Sequence, residues 1–165
     1  MPTLAEALAT VKKEYSIEED DFTNGDCHTL AEALYCAMGH QGKLLACLRE
    51  TLEVDGSVFA TGYSHMVYQA PDGTCWDIGG CNADFRWEDS FDLDTADKWG
   101  LTTRFRWEAV SHEDLYPWLQ QHHGCIDEMR VAKVTRTLKD LLHHAEASLN
   151  RSEGRHRSPG HLNER

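Results

Sequence analysis

The chain begins with apolar residues at helical spacing. Leu4, Leu8 and Val11 lie three or four positions apart, and the stretch opens with a Thr-x-x-Glu capping-box pattern. This pattern predicts an amphipathic helix over residues 3–15.

A second helical pattern follows a turn signal. Asn24-Gly25 is typical of a sharp turn, and the Ala-rich stretch after it carries an apolar stripe that predicts a helix over residues 26–38. Asp26 is a residue type favoured at helix N-caps, where its carboxylate accepts hydrogen bonds from backbone amides. We therefore expect Cys27 in the first turn, where the helix dipole favours thiolate over thiol.

Short apolar runs separated by turn signals then predict a group of strands. The predicted strands cover residues 44–48, 58–60, 64–69 and 74–78, and a turn or longer loop covers residues 49–57. Pro71-Asp72-Gly73 predicts a hairpin turn between the last two strands, the second of which ends at Gly79-Gly80. Residue numbers of hairpin partners then sum to about 145, which places Asp77 opposite Tyr68.

The second half of the chain is predicted to form one more strand and two helices. Residues 82–100 are aromatic and acidic without a clear period, apart from a short helix at residues 95–99. A strand follows over residues 101–110, then a helix over residues 112–122 with Ser111 as its N-cap, and then a long helix that reaches residue 147. We expect a single α+β domain over residues 1–150 and a disordered, Arg-rich tail over residues 151–165.

Composition and charge argue against a protein that binds nucleic acid, spans a membrane or is secreted. The formal net charge is -12 over 165 residues, which argues against a nucleic-acid partner because phosphate contacts need Lys and Arg. No apolar run reaches the roughly 18 residues of a membrane span. The N-terminus lacks the basic and apolar regions of a signal peptide. A cytoplasmic protein with no membrane partner is the resulting expectation.

None of the six cysteines lies in a Cys-x-x-Cys pair. In a reducing compartment such cysteines are ordinarily free thiols packed as small apolar side chains. Cys27 differs from the others in its expected place at a helix start.

Cys27, His65 and Asp77 form the candidate catalytic constellation. A thiol nucleophile needs an imidazole that stabilises the thiolate and moves protons, and a polar group that holds the imidazole tautomer. His65 and Asp77 lie on the two predicted strands that flank the hairpin turn. Asp77 stands in an apolar setting, where a buried carboxylate needs a partner. His65 is the natural candidate, although the spacing alone does not establish their contact.

The order of these motifs resembles the core of the transglutaminase-like and papain-like cysteine enzymes. The resemblance rests on residues 25–31, 64–68 and 72–77, which supply a helix-start cysteine after Gly, a strand histidine and a strand aspartate after an aromatic residue. Arylamine N-acetyltransferases and several bacterial deamidase toxins are similar in the same core. The resemblance implies that Cys27 is the nucleophile, His65 the base and Asp77 the orienting acid.

The fold implied by the resemblance is a papain- or transglutaminase-like core. In such a core the cysteine helix packs on a small antiparallel sheet, and additional helices follow here at the C-terminus. The implied function is that of a cysteine hydrolase, amidase, deamidase or acyltransferase that forms an acyl-enzyme on a protein or a small amide or thioester, without metal or organic cofactor. The alternative is a catalytically inactive relative that binds or inhibits a partner through its acidic surface.

Further residues are assigned around this centre. The Cys27 backbone amide and the Asn24 side chain are candidate oxyanion donors, and Trp76 is placed on the substrate side. His28 is a competing base, but we expect it to point elsewhere because it neighbours Cys27 on the helix.

Two histidine pairs invite a metal-site hypothesis. His122-His123 and His143-His144 flank Cys125 in the sequence. Adjacent helical residues point about 100° apart, so only one of each pair is able to face a shared ion. Solvent-facing helix residues are the favoured interpretation, and no metal site is predicted.

Overall fold

Four helices and five strands make up the part of the chain that the computed structural model describes, residues 3–14, 26–82, 101–122, 124 and 126–153. The helices are α1 (Leu4–Glu14), α2 (Cys27–Ala37), α3 (Leu115–Gln121) and α4 (Glu128–Glu153). The strands are β1 (Lys43–Leu52), β2 (Val58–Gln69), β3 (Cys75–Asp77), β4 (Gly80–Asn82) and β5 (Thr102–Val110). The predicted α+β class is confirmed. The predicted Asn24-Gly25 turn and 95–99 helix, and tail residues 154–165, lie outside the described residues.

The five strands form one antiparallel sheet in the order β4-β3-β2-β1-β5. Strands β1, β2, β3 and β4 follow one another through tight turns, and β5 joins the free edge of β1. At the β2–β3 turn the Asp72 carboxylate accepts the Thr74 backbone N–H at 3.0 Å and the Thr74 hydroxyl at 2.6 Å. The hairpin predicted from Pro71-Asp72-Gly73 is therefore confirmed.

Helix α2 is the buried centre of the molecule. It packs on β2 and on α4, and every residue from Cys27 to Leu34 is buried. A helix that is buried on all sides is apolar nearly all round, which explains its richness in Ala and Leu. Its apolar residues join two core clusters.

The first cluster joins α1, α2, β2 and α4. Its buried members include Leu8, Leu30, Leu34, Tyr68 and Leu138. Helix α1 is held at its start by the predicted capping box, in which the Thr3 backbone N–H donates to Glu6 at 2.6 Å. The second cluster lies between α2, the sheet and α3, and its buried members are Cys27, Ala31, Leu44, Ala46, Met66, Val110, Leu115 and Leu119.

Several predicted strand boundaries are wrong, because polar residues and glycines lie within the sheet. Strand β1 continues to Leu52, whereas residues 49–57 were expected to be a turn or loop. Strand β2 is continuous through Gly62, which pairs regularly with Arg49. The chain does not leave the sheet at Gly79-Gly80 but turns there into β4.

A buried carboxylate explains the polar end of β1. Glu50 is 5 % exposed, and its two carboxylate oxygens accept hydrogen bonds from Arg104 and Arg106 of β5. These guanidinium groups hold the pKa of Glu50 below its ordinary value. An ion pair across neighbouring strands thus replaces the apolar contact that would have marked the segment as a strand.

The two C-terminal helices also differ from the prediction at their ends. Helix α3 begins at Leu115 with Asp114 as its N-cap. The predicted cap residue Ser111 lies one turn earlier, where its hydroxyl accepts the Asp114 backbone N–H at 3.1 Å and donates to the Asp114 carboxylate at 2.6 Å. Helix α4 extends to Glu153, beyond the predicted residue 147. Among the described residues, no helix is long and apolar enough to cross a membrane.

The approach to β1 generates a stability prediction at Gly42. Gly42 has φ 94°, and a Cβ there would lie 2.2 Å from the Gln69 carbonyl oxygen. Gly42→Ala combines left-handed strain with overpacking and is expected to cost about 2–5 kcal/mol in urea unfolding. Gly39 has φ 69° but open space around it, so the matched Gly39→Ala variant is expected to cost about 1–2 kcal/mol. Equal losses in the two variants would contradict the close contact.

Candidate active site

Cys27 is the first residue of α2, as the sequence predicts. Asp26 occupies the N-cap position, but its side chain makes no capping hydrogen bond. Its carboxylate instead pairs with the Arg130 guanidinium of α4. The expectation that Asp26 caps the helix through its side chain is therefore wrong, because an ion pair to the neighbouring helix takes the carboxylate.

Strand β2 carries a β-bulge next to Cys27. Cys47 of β1 pairs with His65 and Leu48 pairs with Tyr63, so that Ser64 is an extra residue without a partner in the ladder. Bulges change the direction of nearby side chains and are frequent beside active sites. Here the bulge lies between Tyr63 and His65, and both of these side chains interact with Cys27.

Asp77 holds His65 inside the protein. Tyr68 pairs with Trp76, so the observed register differs by one residue from the predicted pairing of Tyr68 with Asp77. His65 is 0 % exposed and Asp77 is 7 % exposed. The His65 Nε2 lies 3.3 Å from Asp77 Oδ2, and Asp77 Oδ1 accepts the Gly79 backbone N–H at 2.8 Å. The contact between His65 and Asp77, which the sequence spacing alone does not establish, is therefore present.

Two further side chains at the thiol were not assigned to it from the sequence. The Tyr63 hydroxyl lies 3.1 Å from the Cys27 sulfur and 3.5 Å from Nδ1 of His28. The expectation that His28 points elsewhere is wrong, since His28 is buried at 2 % exposure beside the same hydroxyl. The only sequence signal for Tyr63 is its place two residues before the candidate base.

These contacts determine the charge of the thiol. Burial raises the pKa of Cys27, but hydrogen bonds from His28, His65 and Tyr63 and the positive charge of His65 outweigh it and lower the pKa to about 6. Burial lowers the pKa of His65, but hydrogen bonds to Asp77 and Cys27 more than compensate, and the pKa is raised. The lowered pKa of Cys27 and the raised pKa of His65 both favour the thiolate–imidazolium pair over the neutral thiol and imidazole.

Tyr63 remains a hydrogen-bond donor beside this ion pair. Burial is the largest cause that raises the pKa of Tyr63 well above its ordinary value, and the charge of Cys27 adds to it. The phenol therefore stays protonated, and its O–H donates a hydrogen bond to the thiolate.

Of the other two assigned residues, Asn24 and Trp76, the structure describes only Trp76, which does not join the centre. Asn24 lies outside the described residues. Trp76 donates its indole N–H to the Thr74 hydroxyl at 3.0 Å and packs against the cluster that contains Leu30, whereas Cys27 belongs to the other core cluster. The hairpin contacts of Trp76 thus account for an aromatic residue at this position.

The predicted histidine pairs are only partly described. His122 packs on the Trp118 ring with centroids 4.2 Å apart. The side chains of His123, Cys125 and His144 lie outside the described residues.

Comparisons with protein-family models, with curated proteins and with solved structures find no match to this chain.

The lowered pKa of Cys27 predicts the pH dependence of alkylation. Iodoacetamide reacts with thiolate. The alkylation rate at Cys27 is therefore expected to increase with pH, with a midpoint near pH 6, because the sulfur is protonated at lower pH. His65→Ala removes a hydrogen bond and a positive charge, so it is expected to move the midpoint upward, and Tyr63→Phe to move it upward by less. Mass spectrometry of the modified peptide measures each rate.

N-acetylcysteine provides the reference thiol for this titration, and Cys27→Ser identifies the signal by removing the low-pH component. A Cys27 midpoint at or above the unperturbed value of about 8.5 would contradict the ion pair.

Proposed function

We propose that this protein is a small cysteine enzyme that attacks an amide, peptide or thioester carbonyl through Cys27 and forms an acyl-enzyme. The observation that carries the proposal is the buried His65–Asp77 pair, joined at 3.3 Å, beside a helix-start thiol. A nucleophile, a base in hydrogen-bond reach and a group that orients the base are the three parts that such chemistry requires.

We further propose that the core is papain- or transglutaminase-like. Three features support this: the cysteine starts the central helix, the histidine lies on a strand packed against that helix, and the aspartate lies on the next antiparallel strand. The chain order Cys27, His65, Asp77 is that of the resemblance stated from the sequence.

In the first step the Cys27 sulfur attacks the carbonyl carbon, and the carbonyl π electrons move to oxygen. His65 then donates its proton to the leaving nitrogen or sulfur as the bond to carbon breaks. The products are a thioester on Cys27 and a released amine, ammonia or thiol.

In the second step water or an amine attacks that thioester. Neutral His65 removes the proton from the attacking group, and the Cys27 sulfur leaves as thiolate. Asp77 keeps the imidazole in one tautomer through both steps, because its Oδ2 accepts from Nε2. Hydrolysis, deamidation and acyl transfer share these steps and differ in the acceptor and the acyl donor.

Two groups near the sulfur suit the charges that develop. The backbone amides of the first turn of α2 have no intrahelical acceptor and point toward the helix start, which favours an oxyanion there. The Tyr63 hydroxyl, 3.1 Å from the sulfur, stabilises the thiolate before attack and after its release.

A reducing compartment such as the cytoplasm suits this chemistry. Over the described part of the chain, Cys27, Cys36, Cys47, Cys75 and Cys81 are all free thiols. A thiolate nucleophile is active only in the reduced form.

Acylation by p-nitrophenyl acetate tests the proposal. We expect a burst of nitrophenol, a single acetyl group on Cys27 in the mass spectrum, and steady turnover as the thioester hydrolyses. Cys27→Ala is expected to abolish the burst. His65→Ala is expected to slow turnover by roughly 10²–10⁴-fold, since it removes the general acid and base.

Matched variants separate site chemistry from general thiol reactivity. Cys81→Ala, at an exposed position, is expected to leave both burst and turnover unchanged. Asp77→Asn is expected to keep the burst and slow turnover, because the tautomer is lost while the thiol remains. An unchanged burst in folded Cys27→Ala would exclude the enzyme and favour a non-catalytic binding protein.

A further inference from the structure

A second cluster of reactive side chains lies further along α2. Glu32 and Cys36 are one helical turn apart on α2, and His112 approaches them from the segment before α3. The His112 Nε2 lies 3.1 Å from Glu32 Oε1 and 3.9 Å from the Cys36 sulfur. One donor atom from each residue lies within 4.8 Å of the other two.

The Glu32 carboxylate is not satisfied by its protein contacts. Glu32 is 3 % exposed, and its Oε1 accepts from His112 and from the Tyr116 hydroxyl at 3.2 Å. Its Oε2 is buried and has no hydrogen-bond partner among the residues that the structure describes. A buried carboxylate oxygen without a partner is costly in a folded protein and calls for a ligand that the side chains do not supply.

We propose that Glu32, Cys36 and His112 bind a Zn²⁺ ion. A carboxylate, a thiolate and an imidazole together suit zinc, whereas Mg²⁺ and Ca²⁺ prefer oxygen ligands alone. Zinc bond lengths and tetrahedral angles place nitrogen and sulfur ligands about 3.6 Å apart, and nitrogen and oxygen ligands about 3.3 Å apart. The observed 3.9 Å and 3.1 Å are close to these separations.

The surroundings provide the second layer of contacts that zinc sites ordinarily have. The Tyr116 hydroxyl donates to the Glu32 carboxylate and orients it. The His112 ring packs beside two other rings, with its centroid 5.2 Å from that of Tyr35 and 5.6 Å from that of His40. These contacts position two of the three ligands before the ion binds.

Three ligands from the described part of the chain leave one tetrahedral position open. His112 also lines a groove of about 700 Å³, together with Tyr35, His40, Ser111 and Glu113. The fourth position therefore belongs to water or to a small ligand that enters the groove, which is the arrangement of zinc sites that bind exogenous groups. This site is separate from the thiol of Cys27 and is independent of the proposed function.

Cobalt titration of the metal-free protein tests the assignment. After dialysis against EDTA, we expect one Co²⁺ per chain to bind with a thiolate-to-cobalt charge-transfer band, and Zn²⁺ to displace it. Cys36→Ser is expected to remove the band, and His112→Ala to prevent stoichiometric binding. Cys27→Ser is expected to retain the charge-transfer band and the stoichiometric binding, because Cys27 is not one of the three proposed ligands.

Tyr116→Phe provides a milder variant that keeps all three ligands. We expect its Co²⁺ affinity to fall by roughly 10–100-fold, as for other outer contacts of metal ligands. Circular dichroism verifies that each variant is folded. The proposal is overturned if the wild-type protein binds no stoichiometric Co²⁺ or Zn²⁺, if the band persists in Cys36→Ser but is lost in Cys27→Ser, or if folded Tyr116→Phe binds Co²⁺ with unchanged affinity.

Discussion

The hydrogen bond between His65 and Asp77 is the constraint on which the rest of the site depends. Both side chains are almost completely removed from water, and an unpaired charge in that position would be strongly unfavourable. Asp77 is placed by a strand of three residues whose neighbours are β2 and β4. The short strands β3 and β4 thus bring the Asp77 carboxylate to the His65 imidazole, which lies beside the buried thiol.

Helix α2 connects the two chemical centres of the molecule. Cys27 is at its start, and Glu32 and Cys36 lie further along the same helix. The helix is enclosed by β2 and α4, and the Asp26–Arg130 ion pair fixes its first turn to α4. Such enclosure removes the polar side chains of this helix from water, and two of them, His28 and Glu32, form hydrogen bonds with side chains of other elements.

Local signals made part of this arrangement predictable from the sequence. The turn residues Pro71-Asp72-Gly73 and the apolar stripe of α2 each act over a few residues, so the β2–β3 hairpin and the helix that begins at Cys27 follow from pattern alone. Other features depend on distant parts of the chain. Glu50 has the polarity of a loop residue until its arginine partners on β5 are known. Cys36 and His112 are 76 residues apart in the sequence, and no periodic pattern of residues predicts their contact.

The bulge at Ser64 makes the site depend on the number of residues in β2 as well as on their identity. In an uninterrupted ladder the partners of Cys47 and Leu48 would be consecutive residues, and consecutive side chains of a strand face opposite sides of the sheet. Ser64 separates Tyr63 from His65 in the strand, and both of these side chains interact with the Cys27 sulfur. Substitution at position 64 preserves that geometry, whereas deletion of the position would send the phenol and the imidazole to opposite sides of the sheet. The geometry of this thiol centre therefore depends on the number of residues between Tyr63 and His65 as well as on the identity of these two side chains.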